Sequence, residues 1–163
     1  MDLRPSRLRL GEWIAGGGAV LLLVFMFALS WFTGRPAGAG SSSGQSTSLD
    51  GWQGLTHLRW LVLLTIVLAL ALVWLQATRR RPALPVTLSL FAMLLGGVTV
   101  LALLYRVVVD PPDGLSVEAG AYLGLAAAVA ITYGGYKSLR TEGIAPADAP
   151  AQIETVRLGA GGD

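Results

Sequence analysis

The side chains with the most varied polar chemistry lie close to the ends of long apolar segments. They form the one mixed-charge group of the sequence: His57, Arg59, Arg106, Asp110, Asp113 and Glu118. Near a bilayer centre each arginine would cost at least about 2.5 kcal/mol, so we expect both to reach the membrane surface or to pair with a carboxylate. The pair that we expect is Arg106 with Glu118. The group fits interfacial anchoring first, and a ligand or partner site second.

The sequence offers few residues that could form a catalytic, cofactor or metal site. The chain has no cysteine, which excludes thiolate nucleophiles and Cys-ligated zinc or iron–sulfur centres, and its single histidine has no second histidine to share a metal with. The glycines at 16–18 lie inside an apolar segment, without the context of a phosphate-binding loop. No charged residue lies deep in an apolar segment, which disfavours proton-coupled transport and intramembrane proteolysis. We therefore expect no enzyme and no cofactor.

Composition favours a membrane protein over a soluble one. Of 163 residues, 53% are hydrophobic and 13% charged, and the mean hydropathy is +0.62. The net charge is only +2, and the basic residues fall in short clusters between apolar blocks, so nucleic-acid binding is not expected. The partner that composition predicts is the lipid bilayer.

Four apolar segments are long enough to cross a membrane. A helix needs about 20 residues, at about 1.5 Å each, to cross a hydrocarbon core of about 30 Å. The segments lie at 13–32, 58–77, 84–106 and 117–137. The last is the least apolar because it is rich in Ala and Gly. These lengths predict an all-α polytopic membrane protein, an up-and-down bundle of four transmembrane helices.

The segments between the spans predict loops and tails. They comprise an N-terminus at 1–12, a Gly/Ser-rich outer loop at 33–57, an arginine hairpin at 78–83, an outer turn at 107–116 and a disordered tail at 138–163. The alternative is a cleaved signal peptide, because arginines precede the first apolar run and the Ala-Gly-Ala at 37–39 resembles a cleavage site. Against it, a run of 20 residues exceeds the usual apolar region of about 7–15.

Basic residues near the span ends predict the orientation. One side carries eight of them: Arg4, Arg7, Arg9, Arg79, Arg80, Arg81, Lys137 and Arg140. The other side carries three: Arg35, Arg59 and Arg106. This excess predicts a multi-pass protein of the bacterial plasma membrane with both termini in the cytoplasm. Aromatic residues agree, with Trp13, Trp74 and Tyr136 at the inner interface and Trp31, Trp52, Trp60, Tyr105 and Tyr122 at the outer one.

Small residues recur at every fourth position of the last span. They are Gly120, Gly124, Ala128 and Thr132, and Gly96 in the third span invites the same interpretation. Small residues let two helix backbones approach closely. The stripe predicts packing inside the bundle or, alternatively, the seam of a homodimer.

Several segments carry a family resemblance. They are GEWIAG at 11–16, QATRRRPALPV at 76–86, LYRVVVDPP at 104–112 and GAYLGLAAAVAITYGGYKSLR at 120–140. In these the chain resembles an uncharacterised group of small four-span membrane proteins of high-G+C actinobacteria, over residues 9–142 without the Gly/Ser loop. Members of that group often end the first span in Leu-Pro-Trp-Tyr, where this chain has Leu-Ser-Trp-Phe at 29–32. The resemblance implies the four-span topology and transfers no functional residue.

Two classes of function fit these features. Uncharged spans and small-residue faces favour a non-enzymatic protein that acts by helix–helix association, as a scaffold, envelope or accessory subunit. Its partner would be itself or another membrane protein. The alternative is a small oligomeric channel or permease whose pore is lined by hydroxyls and glycines.

Overall fold

The computed structural model describes residues 10–34, 46–78 and 85–142. Four long helices dominate it: α1 (Leu10–Ala28), α3 (Leu58–Thr78), α4 (Pro85–Leu104) and α5 (Ala119–Glu142). Between them lie the strands β1 (Ser30–Gly34), β2 (Thr47–Asp50) and β3 (Leu115–Val117) and the short helix α2 (Gly51–Gly54). The expectation of a mostly helical chain is confirmed, but the three strands were not predicted.

Three of the helices are long and apolar enough to cross a membrane. They are Leu10–Ala28, Leu58–Ala77 and Ser89–Val109, the last of which includes a π-helical turn, Tyr105–Val109, that continues α4. The fourth long helix, α5, has 24 residues but contains many alanines and glycines. The helical segments begin and end close to the apolar blocks of the sequence, with two exceptions: the first ends at Ala28, and the last continues to Glu142. The expectation of a disordered tail from residue 138 was therefore wrong for 138–142.

The long helices pack around one core. α1 contacts α5 and α3, and α4 contacts the same two helices. Where α1 meets α5 the backbones touch, because a Cβ atom on Gly11 would lie 2.8 Å from the Gly134 carbonyl oxygen, and one on Gly18 would lie 3.0 Å from the Ala127 carbonyl oxygen. Glycine is therefore required on this face, as expected for helices that associate through small residues.

A three-stranded antiparallel sheet covers one end of the helices, which we call the sheet end. The strand order is β2-β1-β3, and Thr33 of β1 pairs with Ser48 on one side and Ser116 on the other. This sheet corrects three expectations: that helix extends to residue 32, that 33–57 is wholly loop and that 107–116 is only a turn. Strands of three to five residues, paired from distant parts of the chain, leave too little local pattern to be recognised.

Trp31 and Phe32 close the core beneath the sheet. Both are fully buried, and the Trp31 Nε1–H donates a hydrogen bond to the Phe25 carbonyl oxygen at 2.8 Å. They pack with buried side chains of the helices, among them Leu22, Met26 and Leu103. Trp31 is thus a core residue, and its ring does not face the surroundings as that of an interfacial anchor would. An interfacial indole and a buried one look the same in sequence, since both follow an apolar segment.

Large apolar side chains also cover the outside of the helices. Exposed examples are Leu21, Val24, Phe27, Leu64, Val67, Phe91, Leu94, Val98, Leu101, Leu123 and Val129. Monomeric soluble proteins rarely expose apolar surface on this scale. Lipid solvates such a surface well. The exposed apolar side chains, like the three long apolar helices, therefore indicate a membrane protein.

Candidate functional site

Two separate arrangements at the sheet end use residues of the predicted mixed-charge group. The first is built by the π-helical turn, which carries the backbone one turn beyond α4. Arg106 Nη1 donates to the Asp110 carbonyl oxygen at 2.8 Å and lies 3.3 Å from Asp110 Oδ2. The expected partner Glu118 instead immediately precedes α5: its backbone N–H donates to the Trp31 carbonyl oxygen, and its own carbonyl oxygen accepts from the Ala121 N–H. Arg106 therefore pairs within its own segment.

The second arrangement holds Arg59 among aromatic rings. The guanidinium carbon lies 5.0 Å from the Trp52 ring centroid and 5.7 Å from that of Trp60. Phe27 stacks on Trp52 with 5.6 Å between centroids, and Trp60 meets Trp52 edge-on at the same distance. These separations suit cation–π attraction. We call Arg59, Trp52, Trp60 and Phe27 the arginine–aromatic cluster.

The short helix α2 places Trp52 in this cluster. Asp50 caps it, since its side-chain oxygen accepts from the Gln53 N–H at 2.8 Å. The Leu55 carbonyl oxygen then accepts from the N–H groups of Leu58 and Arg59, which ties α2 to the first turn of α3. The ring and the cation thus come from consecutive elements joined by a hydrogen-bonded turn.

The remaining members of the group do not join these arrangements. His57 and Asp113 are exposed, and Glu118 is half-buried. Among the described residues, no group of three His, Cys, Asp or Glu residues could hold a metal ion. Three of the six predicted residues therefore take part in these arrangements, Arg106 and Asp110 as an ion pair and Arg59 in the arginine–aromatic cluster, and the six do not form a single site.

The stripe of small residues on α5 packs against the chain's own elements. A Cβ atom on Gly120 would overlap the Ser30 carbonyl oxygen, and one on Gly124 would overlap the Trp31 ring. Ala128 is fully buried, and a Cβ atom on Gly96 would lie 2.7 Å from Thr132 Oγ1. These contacts agree with the first interpretation of the stripe, packing inside the chain.

A groove between α4 and α5 was not anticipated from the sequence. Its volume is about 520 Å³, and it is lined by Met93, Gly97, Val100, Leu101, Val129, Thr132, Tyr133 and Tyr136. A Cβ atom on Gly97 would meet nothing within 4 Å, in contrast to Gly96 beside it. The Gly-Gly pair at 96–97 was the feature of the sequence that could have indicated the groove. Adjacent helical residues point in different directions, so if one glycine packs against α5 the other leaves space on a different side.

Buried hydroxyls bond to each other between helices. Thr65 Oγ1 on α3 lies 2.6 Å from Thr99 Oγ1 on α4, and one of the two hydroxyls donates to the other. Each hydroxyl also lies 2.9 Å from the carbonyl oxygen four residues earlier in its own helix, which can accept its proton. Ser89 on α4 donates to Ser138 on α5 at 3.4 Å. All four hydroxyl side chains are buried between the helices.

Glu12 was missed as a buried group. The sequence placed it in the N-terminal segment, but it lies in the first turn of α1 and is only 2% exposed. A carboxylate there is favoured by the helix dipole. Its neighbour Gly11 touches the backbone at Ser138, so Glu12 lies near the junction of α1 with the last turns of α5.

Of the eight basic residues on the predicted cytoplasmic side, two are described. Lys137 is half-buried and Arg140 exposed, both in the last turns of α5. Arg4, Arg7, Arg9, Arg79, Arg80 and Arg81 lie outside the described residues, as do Arg35 and the Ala-Gly-Ala segment. Comparison of the chain with protein-family models, curated proteins and solved structures finds no match.

Proposed function

We propose that this chain is a four-span, non-enzymatic protein of the bacterial plasma membrane that acts by binding a transmembrane helix in the groove between α4 and α5. The observation that carries the proposal is Gly97, which opens onto this groove with no atom within 4 Å of where its Cβ atom would lie. Glycine in a helix is about 1 kcal/mol less favourable than alanine. A neighbouring helix that approaches its backbone closely would offset that cost.

The packing of α5 supports its assignment as the fourth span. Residues 119–136 contain no charge and, at about 1.5 Å each, cover about 27 Å, close to the hydrocarbon thickness. The helix fits closely against α1 through Gly134 and Gly11, and against α4 through Thr132 and Gly96. Such contacts compensate for a helix whose side chains partition only weakly into lipid. An up-and-down bundle with both termini in the cytoplasm then follows from the excess of basic residues.

The interior favours association over conduction. Thr65 and Thr99, two hydroxyls that could have lined a pore, bond to each other between α3 and α4. The core between the helices is filled by side chains such as Leu22, Leu103 and Ile131, all fully buried. The groove, by contrast, lies between helices on the lipid-facing side, where a partner helix can reach it.

Site-directed crosslinking in native membranes tests the proposal. The chain has no cysteine, so a single cysteine at the groove edge, Leu101→Cys, gives an unambiguous attachment point. We expect it to crosslink to a membrane protein, identified by mass spectrometry as a second copy or another chain. The matched control is Val67→Cys, equally lipid-exposed but on α3, which should yield much less product.

A second substitution tests whether the crosslink depends on the groove. Gly97→Leu should remove the Leu101→Cys crosslink, because its Cβ atom meets nothing within 4 Å and the rest of the side chain occupies the groove where the partner helix would lie. Val98→Leu, one position away on an exposed face, should leave it intact. Equal crosslinking in all four proteins, or monomer alone throughout, would refute the proposed association.

A further inference from the structure

The charge on Arg59 has no carboxylate partner in the described structure. Its Nε atom is buried without a hydrogen-bond acceptor, and no Asp or Glu oxygen lies within 4 Å of its guanidinium. Aromatic rings attract a cation but accept no conventional hydrogen bond, so the outer N–H groups still require an acceptor. The side chain is held in place while part of its bonding capacity is unused.

Carboxylates elsewhere at the sheet end do not change this. Asp50 caps α2 through the Gln53 N–H, and Asp110 pairs with Arg106. The undescribed stretch 35–45, which joins β1 to β2, contains neither Asp nor Glu. Among the described residues no carboxylate complements Arg59, so the site is open to an anion from outside the chain.

The aromatic neighbours place this cation at a membrane interface. Trp60 is 59% exposed and Phe27 is 52% exposed, and both lie at the sheet end of helices apolar enough to cross a bilayer. Tryptophan is enriched at the level of the lipid headgroups, where an apolar ring can contact acyl chains and its N–H can meet polar groups. At that level the abundant anion is the phosphodiester of a phospholipid.

We propose that the arginine–aromatic cluster is a phospholipid-binding site, in which Arg59 donates hydrogen bonds to the phosphodiester and the exposed faces of Trp60 and Phe27 contact the acyl chains. A guanidinium suits this ligand because it presents two parallel N–H groups to two phosphate oxygens. Contact with two indole rings holds the guanidinium in place before the lipid arrives, which reduces the entropy lost on binding. The site depends on membrane insertion, but not on a partner in the α4–α5 groove.

Native mass spectrometry of the full chain in a mild non-ionic detergent measures such binding directly. The probes are phosphatidylglycerol and a diacylglycerol with the same acyl chains but no phosphate. We expect phosphatidylglycerol to bind at least about tenfold more tightly, the difference typical of charge-assisted hydrogen bonds. Inorganic phosphate, which lacks acyl chains, should not displace the lipid at the same concentration.

Arg106 provides a matched control, since it is an arginine of the same end of the molecule that already has a carboxylate. Arg59→Gln should weaken phosphatidylglycerol binding by about tenfold, whereas Arg106→Gln should change it by less than about twofold. Arg59→Lys keeps the charge but not the two-pronged geometry and should give an intermediate loss, which covers the case that Arg59→Gln fails to fold.

Some results would overturn the lipid site. They are unchanged phosphatidylglycerol binding by folded Arg59→Gln, or by Arg59→Lys if the glutamine variant does not fold, and equal binding of diacylglycerol by the native chain. Displacement of the lipid by inorganic phosphate would point to a simple anion site instead and would equally refute the proposal. Crosslinking through Leu101→Cys should be the same in Arg59→Gln as in the native background, so the two proposals fail independently.

Discussion

The hydroxyl oxygens of Thr65 and Thr99 lie 2.6 Å apart and join α3 to α4 in the middle of the helical core. Thr65 is 2% exposed and Thr99 is fully buried, so water does not compete for this hydrogen bond. Hydrogen bonds between membrane helices contribute about 0.6 kcal/mol on average and rarely more than about 1.7.

A double-mutant cycle on this pair should detect that coupling. Thr65→Val and Thr99→Val each leave one hydroxyl without its partner across the interface, whereas the double variant removes both at nearly constant volume. We expect the double variant to be destabilised by about 0.6 kcal/mol less than the sum of the single variants. The measurement is reversible unfolding in mixed detergent micelles; strict additivity would show that the two hydroxyls do not interact.

Gly124 should tolerate no side chain. A Cβ atom there would overlap the buried ring of Trp31, which is fixed by its hydrogen bond to the Phe25 carbonyl oxygen. We expect Gly124→Ala to lower the free energy of unfolding by about 1–3 kcal/mol, the usual cost of overpacking. The control is Gly97→Ala, which meets no atom within 4 Å and should leave the stability of the isolated chain unchanged or slightly higher. Similar losses in both would mean that Gly124 does not pack on Trp31.

The ion pair between Arg106 and Asp110 should contribute little to stability. The Asp110 side chain is 61% exposed, so water and salt screen the pair strongly. We expect Arg106→Gln to change the free energy of unfolding by less than about 0.5 kcal/mol, and less still at high salt. A loss above about 2 kcal/mol, measured in the same unfolding assay, would show that the guanidinium has a buried partner instead.

Helices could be predicted from the sequence because each long apolar block is a local feature. The third block, for example, contains the helix Pro85–Leu104, and the second corresponds closely to Leu58–Thr78. The sheet could not be predicted in this way. Ser30–Gly34 continues an apolar run, its first partner strand follows only after residues 35–46, and its second lies beyond two long helices. The second pairing therefore depends on how the helices bring those segments together.

Within the candidate site, the sequence singled out Arg59, Arg106 and Asp110 but did not identify their contacts. Arg106 was expected to reach Glu118 across a turn; the π-helical turn instead keeps Asp110 four residues away on the same face. The arginine–aromatic cluster depends on the position of α2, a four-residue helix without periodicity of its own. Proximity to span ends thus groups charges at one end of the helices, but does not indicate which groups they contact.

Cysteine accessibility on either side of α5 tests the four-span arrangement most directly. Asp113→Cys lies before α5 and Arg140→Cys near its end, and both native side chains are exposed. In intact cells we predict that a membrane-impermeant maleimide labels Asp113→Cys but not Arg140→Cys, and that permeabilisation makes both react. Labelling of both positions in intact cells, or of neither until permeabilisation, would place them on the same side of the membrane and contradict α5 as a span.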